Sequence, residues 1–489
     1  MSPVRYGTNV VDTRAQVTST SPLIADLLRM AEWGPRQLVG AINARLTSQG
    51  RDRFRLDLTA GYSWVQRGFR PRPPIPDVAA AVLTERLGYT VTADQLWPGR
   101  DHAASAPMPA FTGLGAAQHV DDFVGELGKL ATNASTPLSA IADASGAELT
   151  AVVLDQLRGA VFVARDRAGR EYVLPEQVDL IATHVAALRR LDDRHGGGAL
   201  SLRYVTAELR NIVDLFDCAN YDKTTGRRLL EIIADLAQLL GWLHFDSSRY
   251  GSAERYMLLS IGVCRALGAT DRAANVIGML SYVSAFARHG REATRLAEAA
   301  AAECRTTDPV LQARLLGRDA TAAAADGDLA RFRRCADRAA TLLDRSRGPD
   351  GGSFLYYLSP MQLAAEAGQG LVELAEHATV NRDQLLAEGI DLLTGAVAGM
   401  TRPEPNGGRP PYARSGLLHL TFLAKAHLLR RELAEAVAVL RTGVGLVSLV
   451  QSPRSRTYLR QLRPALARRA RSRVVADFLP EFDAALSRM

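Results

Sequence analysis

Arginine is the reactive side chain that this 489-residue sequence concentrates. Arg51, Arg53, Arg55, Arg67, Arg70 and Arg72 fall close together, against only Asp52 and Asp57. Guanidinium groups at that density pair with phosphates and fix where a protein sits on a nucleic-acid backbone, without reading its sequence. Between them Thr59, Ala60, Gly61, Ser63 and Gln66 are small or polar, which lets a helix approach base edges in a major groove ~12 Å wide. With Arg36 and Gln37 from the preceding helix, the candidate contacts to double-stranded DNA are Arg36, Gln37, Arg51, Arg53, Arg55, Thr59, Ala60, Ser63, Gln66, Arg67, Arg70 and Arg72. Trp64 and Tyr62 fit either the domain core or a base-stacking role.

Other chemistry is missing. The nine histidines are scattered, with no HExxH, and there is no GxSxG, Walker loop or GxGxxG opening a helix after a strand. Asp246, Glu254 and Asp271 could share a groove, but acids on repeat helices are expected to be solvated. The cysteines Cys218, Cys264, Cys304 and Cys335 form no CxxC pair, which excludes a zinc-finger pattern and suits reduced thiols in a cytoplasmic protein. No apolar run reaches the ~18 residues of a membrane span, and no signal segment opens the chain. The expectation is no enzyme, no metal and no cofactor. Lysine occurs only at Lys129, Lys223 and Lys425, so 56 of 59 basic residues are arginine, a bias that fits a GC-rich genome. The net charge of +7 divides into +5 for residues 1–100, −4 for 101–452 and +6 for 453–489. A basic head on a mildly acidic body is the balance of a nucleic-acid-binding domain joined to a protein-binding one.

The arginine cluster needs a scaffold, and residues 20–100 read as short helices. Ser21-Pro22 opens the first, with Leu23, Ile24, Leu27, Leu28 and Ala31 at helical spacing. Gly34-Pro35 ends it, and a second runs from about Arg36 to Leu46. A polar loop from Thr47 to Arg55 leads to the third, Leu58 to Gly68. Arg70 to Pro76 is predicted extended, because each proline disfavours helix in the residue before it. Asp77 to Leu87 is a fourth helix, and Thr92-Ala93-Asp94-Gln95 caps a last short one. This is the size of a helix-turn-helix domain.

The order resembles the phage-repressor-like (XRE-type) family. It is closer still to a Streptomyces, or actinobacterial, branch of large transcriptional regulators, on Pro71-Arg72-Pro73-Pro74-Ile75-Pro76 and Leu87-Gly88-Tyr89-Thr90-Val91-Thr92. Arg194-His195-Gly196-Gly197-Gly198, Ala237 to Trp242, Arg249 to Tyr256 and Ser452 to Arg456 resemble the same regulators. Two departures stand out: a longer loop between the second and third helices, and one extra residue between Trp64 and Gly68.

Residues 101–160 read as a flexible linker with one weak helix, from their Ala, Ser, Thr, Gly and Pro content. Residues 161–228 read as a helical connecting region: a small hairpin around Ala168-Gly169, a helix from Glu176 to Leu191, a glycine elbow and a helix from Leu200. Residues 229–489 are helix after helix, with breaks predicted at Gly251, Gly268, Gly290, Gly327 and Gly348. Ala253, Ala293 and Ala436 mark equivalent positions in tetratricopeptide-like hairpins, at a period nearer 40 than the usual ~34 residues. From Arg454 to Arg473 there are eight arginines and no acid. Leu459, Leu462, Leu466, Val474 and Val475 suit a capping helix with Arg456, Arg460, Arg463 and Arg471 on its wet side; the rival readings are a docking strip for an acidic face and a second DNA contact.

The expected fold is all-α: an N-terminal helix-turn-helix domain followed by a tetratricopeptide-like α-superhelix. The expected function is transcriptional regulation by a homodimer. A peptide, small molecule or partner protein in the repeat concavity would shift two heads relative to half-sites about one helical turn apart. A rival reading is a non-enzymatic scaffold whose head docks another regulator instead of DNA.

Overall fold

Apolar residues at helical spacing build nearly every element, and among the described residues the fold is all-α apart from a two-residue parallel pair, Met108–Pro109 with Ile141–Ala142, and a single bridge between Tyr172 and Asn220. The structure, a computed structural model, describes residues 24, 27–28, 31, 33–67, 69–87, 91, 93–97, 108–109, 119–132, 141–142, 146–158, 172–196, 198–346, 354–403 and 408–487. It divides into two units, Met1–Ser105 and Ala106–Met489.

In the first unit, the head, α1 (Pro35–Ser48) buries Leu38, Val39, Ile42 and Leu46 and packs on both α2 (Ala60–Arg67) and α3 (Ile75–Leu87). A short α4 (Ala93–Leu96) closes the core beside α3. Proline at its first position suits α1, because that N–H has no partner within the helix anyway. The proline run ends sooner than the sequence predicts. Ile75 and Pro76 already belong to α3, whose first turn tolerates proline for the same reason. The Ser21-Pro22 helix start lies outside the described residues, but Ile24, Leu27 and Leu28 are buried in the head core.

In the second unit, the body, five helical hairpins follow one another. They are α9–α10 (Lys223–Asp246, Tyr250–Ala266), α11–α12 (Thr270–Phe286, Gly290–Glu303), α13–α14 (Pro309–Asp326, Leu329–Asp344), α15–α16 (Pro360–His377, Arg382–Thr401) and α17–α18 (Ala413–Arg430, Leu433–Val447). The first helices α11, α13, α15 and α17 each pack on the next in line, as in a stacked repeat array. Their starts are 39, 51 and 53 residues apart, less even than the expected period and longer in two of three steps. Ala253, Ala293 and Ala436 are each the fourth residue of a second helix, fully buried where the hairpin's two helices cross. Two glycines mark helix starts rather than breaks. Gly251 and Gly290 lie in α10 and α12, and the turns before them are made by Ser248 (φ 59°) and Arg288 (φ 66°). Gly268 and Gly327 do sit in the turns, and Gly348 lies outside the described residues.

The flexible-linker expectation fails for two segments of 101–160. Helices α5 (Val120–Thr132) and α6 (Gly146–Arg158) bury Val120, Phe123, Val124, Leu127, Leu149 and Val153 in the same core as the first hairpins. The Phe123 ring packs against bare backbone at Gly262 of α10, where a Cβ would stand 2.3 Å from it. The apolar spacing was there, at Phe123, Val124 and Leu127, but the surrounding Ala, Ser and Gly composition masked it. The hairpin expected at 161–174 falls mostly outside the described residues.

Helices α7 (Pro175–His195) and α8 (Ala199–Cys218) join at the glycine elbow, where Gly196 has φ 80°. α7 packs on both α9 and α17, at the two ends of the array. The C-terminal elements are α19 (Pro453–Gln461), α20 (Arg463–Ala467) and α21 (Arg473–Ser487), and α19 contacts both α17 and α9. The Gln451 amide donates to His195 O at 2.6 Å. First and last hairpins are thus tied together. As expected, Leu459, Leu462, Leu466 and Val475 are buried, but Val474 is 41 % exposed.

Candidate functional site

The arginine loop of the head is held by one buried side chain. Asn43 of α1 donates from Nδ2 to Leu56 O and accepts at Oδ1 from the Leu56 amide, both at 2.9 Å. That pair clamps a loop which would otherwise span eleven residues between α1 and α2. A single 3₁₀ turn, Asp52–Phe54, shapes it further, with the Thr47 hydroxyl donating to Asp52 at 2.6 Å. Phe54 and Leu56 pack on the core, while Arg51, Arg53 and Arg55, alternating with them, are exposed. The loop is longer than a tight turn, yet it is built.

Helix α2 turns Trp64 inward: it is 2 % exposed and meets Trp97 edge-on at 5.6 Å. Trp64 is therefore core, and Tyr62, 41 % exposed, is the aromatic ring on the outer face. The angle of α2 is set at Gly61, where a Cβ would stand 2.6 Å from Pro35 O, so only glycine lets the two backbones approach.

The expected contact residues are not all alike. Arg36, Gln37 and Arg72 are exposed, as are Arg51, Arg53 and Arg55. Thr59 is exposed, but its hydroxyl donates to Asp57 at 2.5 Å and its amide to the same oxygen at 2.7 Å. Those bonds, with Arg36 nearby, lower the Asp57 carboxyl below its ordinary range. Ser63 is half-buried and donates to Ala60 O at 2.8 Å, and Ala60 is also half-buried. Arg70 donates to Trp97 O at 2.8 Å, so it ties the segment after α2 to the end of the domain. Gln66 and Arg67 belong to the last turn of α2, and their side chains lie outside the described residues.

The body holds a second site, which the sequence did not announce. A pocket of about 860 Å³, counting the solvent at its mouth, opens among α7, α9, α11, α13, α15, α17, α19 and the segment 354–357. Trp242, Tyr282, Tyr356, Tyr357 and Tyr412 give it an aromatic wall. Arg318, Arg414 and Arg454 give it buried cations, with side chains only 5–6 % exposed. Their guanidinium carbons lie 6.0, 5.5 and 5.3 Å from the centre of the Trp242 ring.

The acids of the site are mostly taken. Glu366 accepts both guanidinium arms of Arg314 and the Gln362 amide. Burial alone would raise its carboxyl, but Arg314 and Arg318 beside it hold it at about 2. Asp193 accepts from Arg414 at 2.9 Å and from the Tyr356 hydroxyl. Asp192 is the exception: burial pushes it up to about 7, with Asp193 and Asp246 adding to the push and Arg414 and Arg454 opposing it. His419, also lining the pocket, is held neutral by burial, its value lowered to about 4. Asp246 and Glu254, expected to be solvated, are buried at 0 % and 5 % exposure. Asp246 accepts from Ser452 at 2.8 Å and faces Arg454 and Arg414, partners more than 150 residues away that no local pattern reveals. Asp271 is half-buried and accepts the Arg305 and Thr306 amides.

Among the described residues no group of His, Cys, Asp and Glu is arranged to hold a metal ion, and no helix is long and apolar enough to cross a membrane. Residues 24–96, which span the head core from Ile24 to Leu96, match the model of the family described as the SP15 N-terminal domain. No curated protein matches the chain.

Proposed function

We propose that the protein is a non-enzymatic transcriptional regulator that binds double-stranded DNA through its head, as the resemblance to actinobacterial XRE-type regulators implies, and senses an effector through its tetratricopeptide-like body. The observation that carries this reading is the clamped arginine loop. Asn43 fixes the backbone at Leu56, and Arg51, Arg53 and Arg55 are exposed beside the outer face of α2. An ordered, outward row of guanidinium groups next to a short helix suits phosphate positioning with base contact from the helix. Arg70 acts within the head, holding Trp97, and Thr59 and Ser63 would reach bases through their hydroxyl lone pairs, since their protons are engaged. In this reading the protein works in the cytoplasm, as a homodimer, with two heads on adjacent half-sites.

The test is selection of genomic duplex fragments by the full-length protein, followed by sequencing. A shared motif, lost when Arg51, Arg53 and Arg55 are reversed to glutamate, supports the proposal. Equal capture of all fragments, or none, contradicts it.

A further inference from the structure

The pocket of the body has donors without acceptors. Among the described residues, Arg318 Nη1, Arg414 Nε and Nη1, and Arg454 Nε and Nη1 are buried and lack a hydrogen-bond partner. Arg318 Nη1 stands 3.7 Å from Glu366 and Arg454 Nε 3.5 Å from Asp246, close enough for charge attraction but not hydrogen-bonded. A buried polar group left unpaired is costly, and for a charged donor more so. Glu366 is already bonded by Arg314 and Gln362 and Asp193 by Arg414 and Tyr356, while Asp192, whose Oδ1 also lacks a partner, lies 3.4 Å from Arg414 and is pushed by burial towards its neutral form. An incoming oxyanion would satisfy these donors.

Ring positions say what should be attached to that oxyanion. Arg318 lies 4.1 Å above the Tyr282 ring and Arg454 5.9 Å from it, so the two guanidiniums share one aromatic neighbour. Trp242 borders the same space. Flat apolar surface beside convergent cations suits a ligand with a planar body and an acidic head.

Closure decides between a molecule and a chain. Stacked helical arrays commonly present an open concave groove to a peptide. Here α7 bridges the first and last hairpins, and α19 brings Arg454 across to Trp242, so the concavity is narrowed to a pocket. Walled by helices from both ends of the array, it suits one small molecule better than an extended chain.

We propose that the body binds a small organic acid, with its carboxylate or phosphate held by Arg318 and Arg454 and its planar part against Trp242 and Tyr282. This names the effector class of the regulator proposed above and rests on that reading only for its biological role. Binding itself is independent of DNA.

Trp242 offers a reporter, because the other tryptophans, Trp33, Trp64 and Trp97, all lie in the head. The full chain labelled with 5-fluorotryptophan gives one fluorine resonance per tryptophan, with that of Trp242 identified in Trp242→Phe. Benzoate and phenyl phosphate serve as probes, benzamide and benzylamine as neutral and cationic counterparts. The expected result is that the anions move the Trp242 resonance at millimolar concentration and the head resonances stay still. The anion acting at the lower concentration distinguishes a carboxylate site from a phosphate site. Arg318→Gln should weaken the response by about 10-fold or more, the loss of one charge-assisted contact. Glu366 keeps its Arg314 bonds in that variant, and circular dichroism checks that the fold survives; Arg318→Lys, which retains the charge, should recover part of the response. An equal or stronger response to benzamide or benzylamine, or an anion response that Arg318→Gln leaves unchanged, would overturn the proposal. So would an acidic peptide that moves Trp242 at lower concentration than either anion. None of these outcomes bears on whether the head binds duplex DNA.

Discussion

Arg454 is the arginine of the C-terminal stretch whose removal should cost most. Of the eight from Arg454 to Arg473 it alone is buried. Its guanidinium carbon lies 4.5 Å from the Phe245 ring centre, 5.3 Å from Trp242 and Phe286, and 5.9 Å from Tyr282. Its Nε is 3.5 Å from Asp246, which is 0 % exposed. Two opposite charges at that distance attract by about 5 kcal/mol at an effective dielectric constant near 20, and most of this is offset by what both lose in leaving water. Removing one partner keeps the loss without the gain. Arg454→Met should therefore destabilise the protein by about 3–5 kcal/mol. Asp246→Asn should cost less, because the amide still accepts from Ser452. The double variant should be more stable than the two single losses predict by about 1–3 kcal/mol, the coupling seen between contacting groups. Urea unfolding followed by far-ultraviolet circular dichroism measures all four proteins. Additive losses, to within about 0.5 kcal/mol, would show that the rings alone hold Arg454 and that its pairing with Asp246 contributes nothing.

Other outcomes follow from the same contacts. Arg463→Ala, which breaks an exposed pair with Asp483, should change stability by no more than about 1 kcal/mol in the same assay, in contrast to Arg454→Met. Trp64→Ala should unfold the head, at a cost of about 3–5 kcal/mol, whereas Tyr62→Ala should leave its melting unchanged and alter only DNA affinity; the reverse pattern would place Tyr62 in the core. Asp192 sits at about 7 in the fold against an ordinary 3.8, so its contribution to stability is full below about pH 4 and is lost as pH rises through 7. Unfolding measured from pH 5 to 7.5 should therefore show Asp192→Asn gaining on the parent as pH rises, and a pH-independent difference would mean that Asp192 stays ionised throughout.

Local rules carried the head well. Spacing of Leu38, Val39, Ile42 and Leu46 placed α1, and the small residues around Trp64 placed α2, each within about two residues. Arg51, Arg53 and Arg55 were legible as exposed because they fall in a polar loop, but the inward turn of Phe54 and Leu56 between them was not. The clamp by Asn43 was not, since an asparagine in mid-helix carries no mark of a partner thirteen residues on. In the body, alanine betrayed three hairpins, at Ala253, Ala293 and Ala436, while Phe332 and Leu385 occupy the same fourth position in α14 and α16. Large residues there hide the repeat from any search for small ones. The pocket was illegible for a different reason. Trp242, Tyr282, Arg318, Glu366, Arg414 and Arg454 come from six helices, and only the closure of the array by α7 and α19 brings them together.

Duplex DNA affinity as a function of salt tests the central claim most directly. The parent protein and a variant with Arg51, Arg53 and Arg55 each replaced by glutamate would be titrated, by fluorescence anisotropy, into an enriched fragment and a random one across a range of salt concentrations. Each phosphate contact contributes ~0.9 to the slope of log affinity against log salt, so the variant's slope should be shallower by up to about 2.7 on both fragments. Parallel slopes for parent and variant would mean that the loop points away from DNA, and the account of the head would fail.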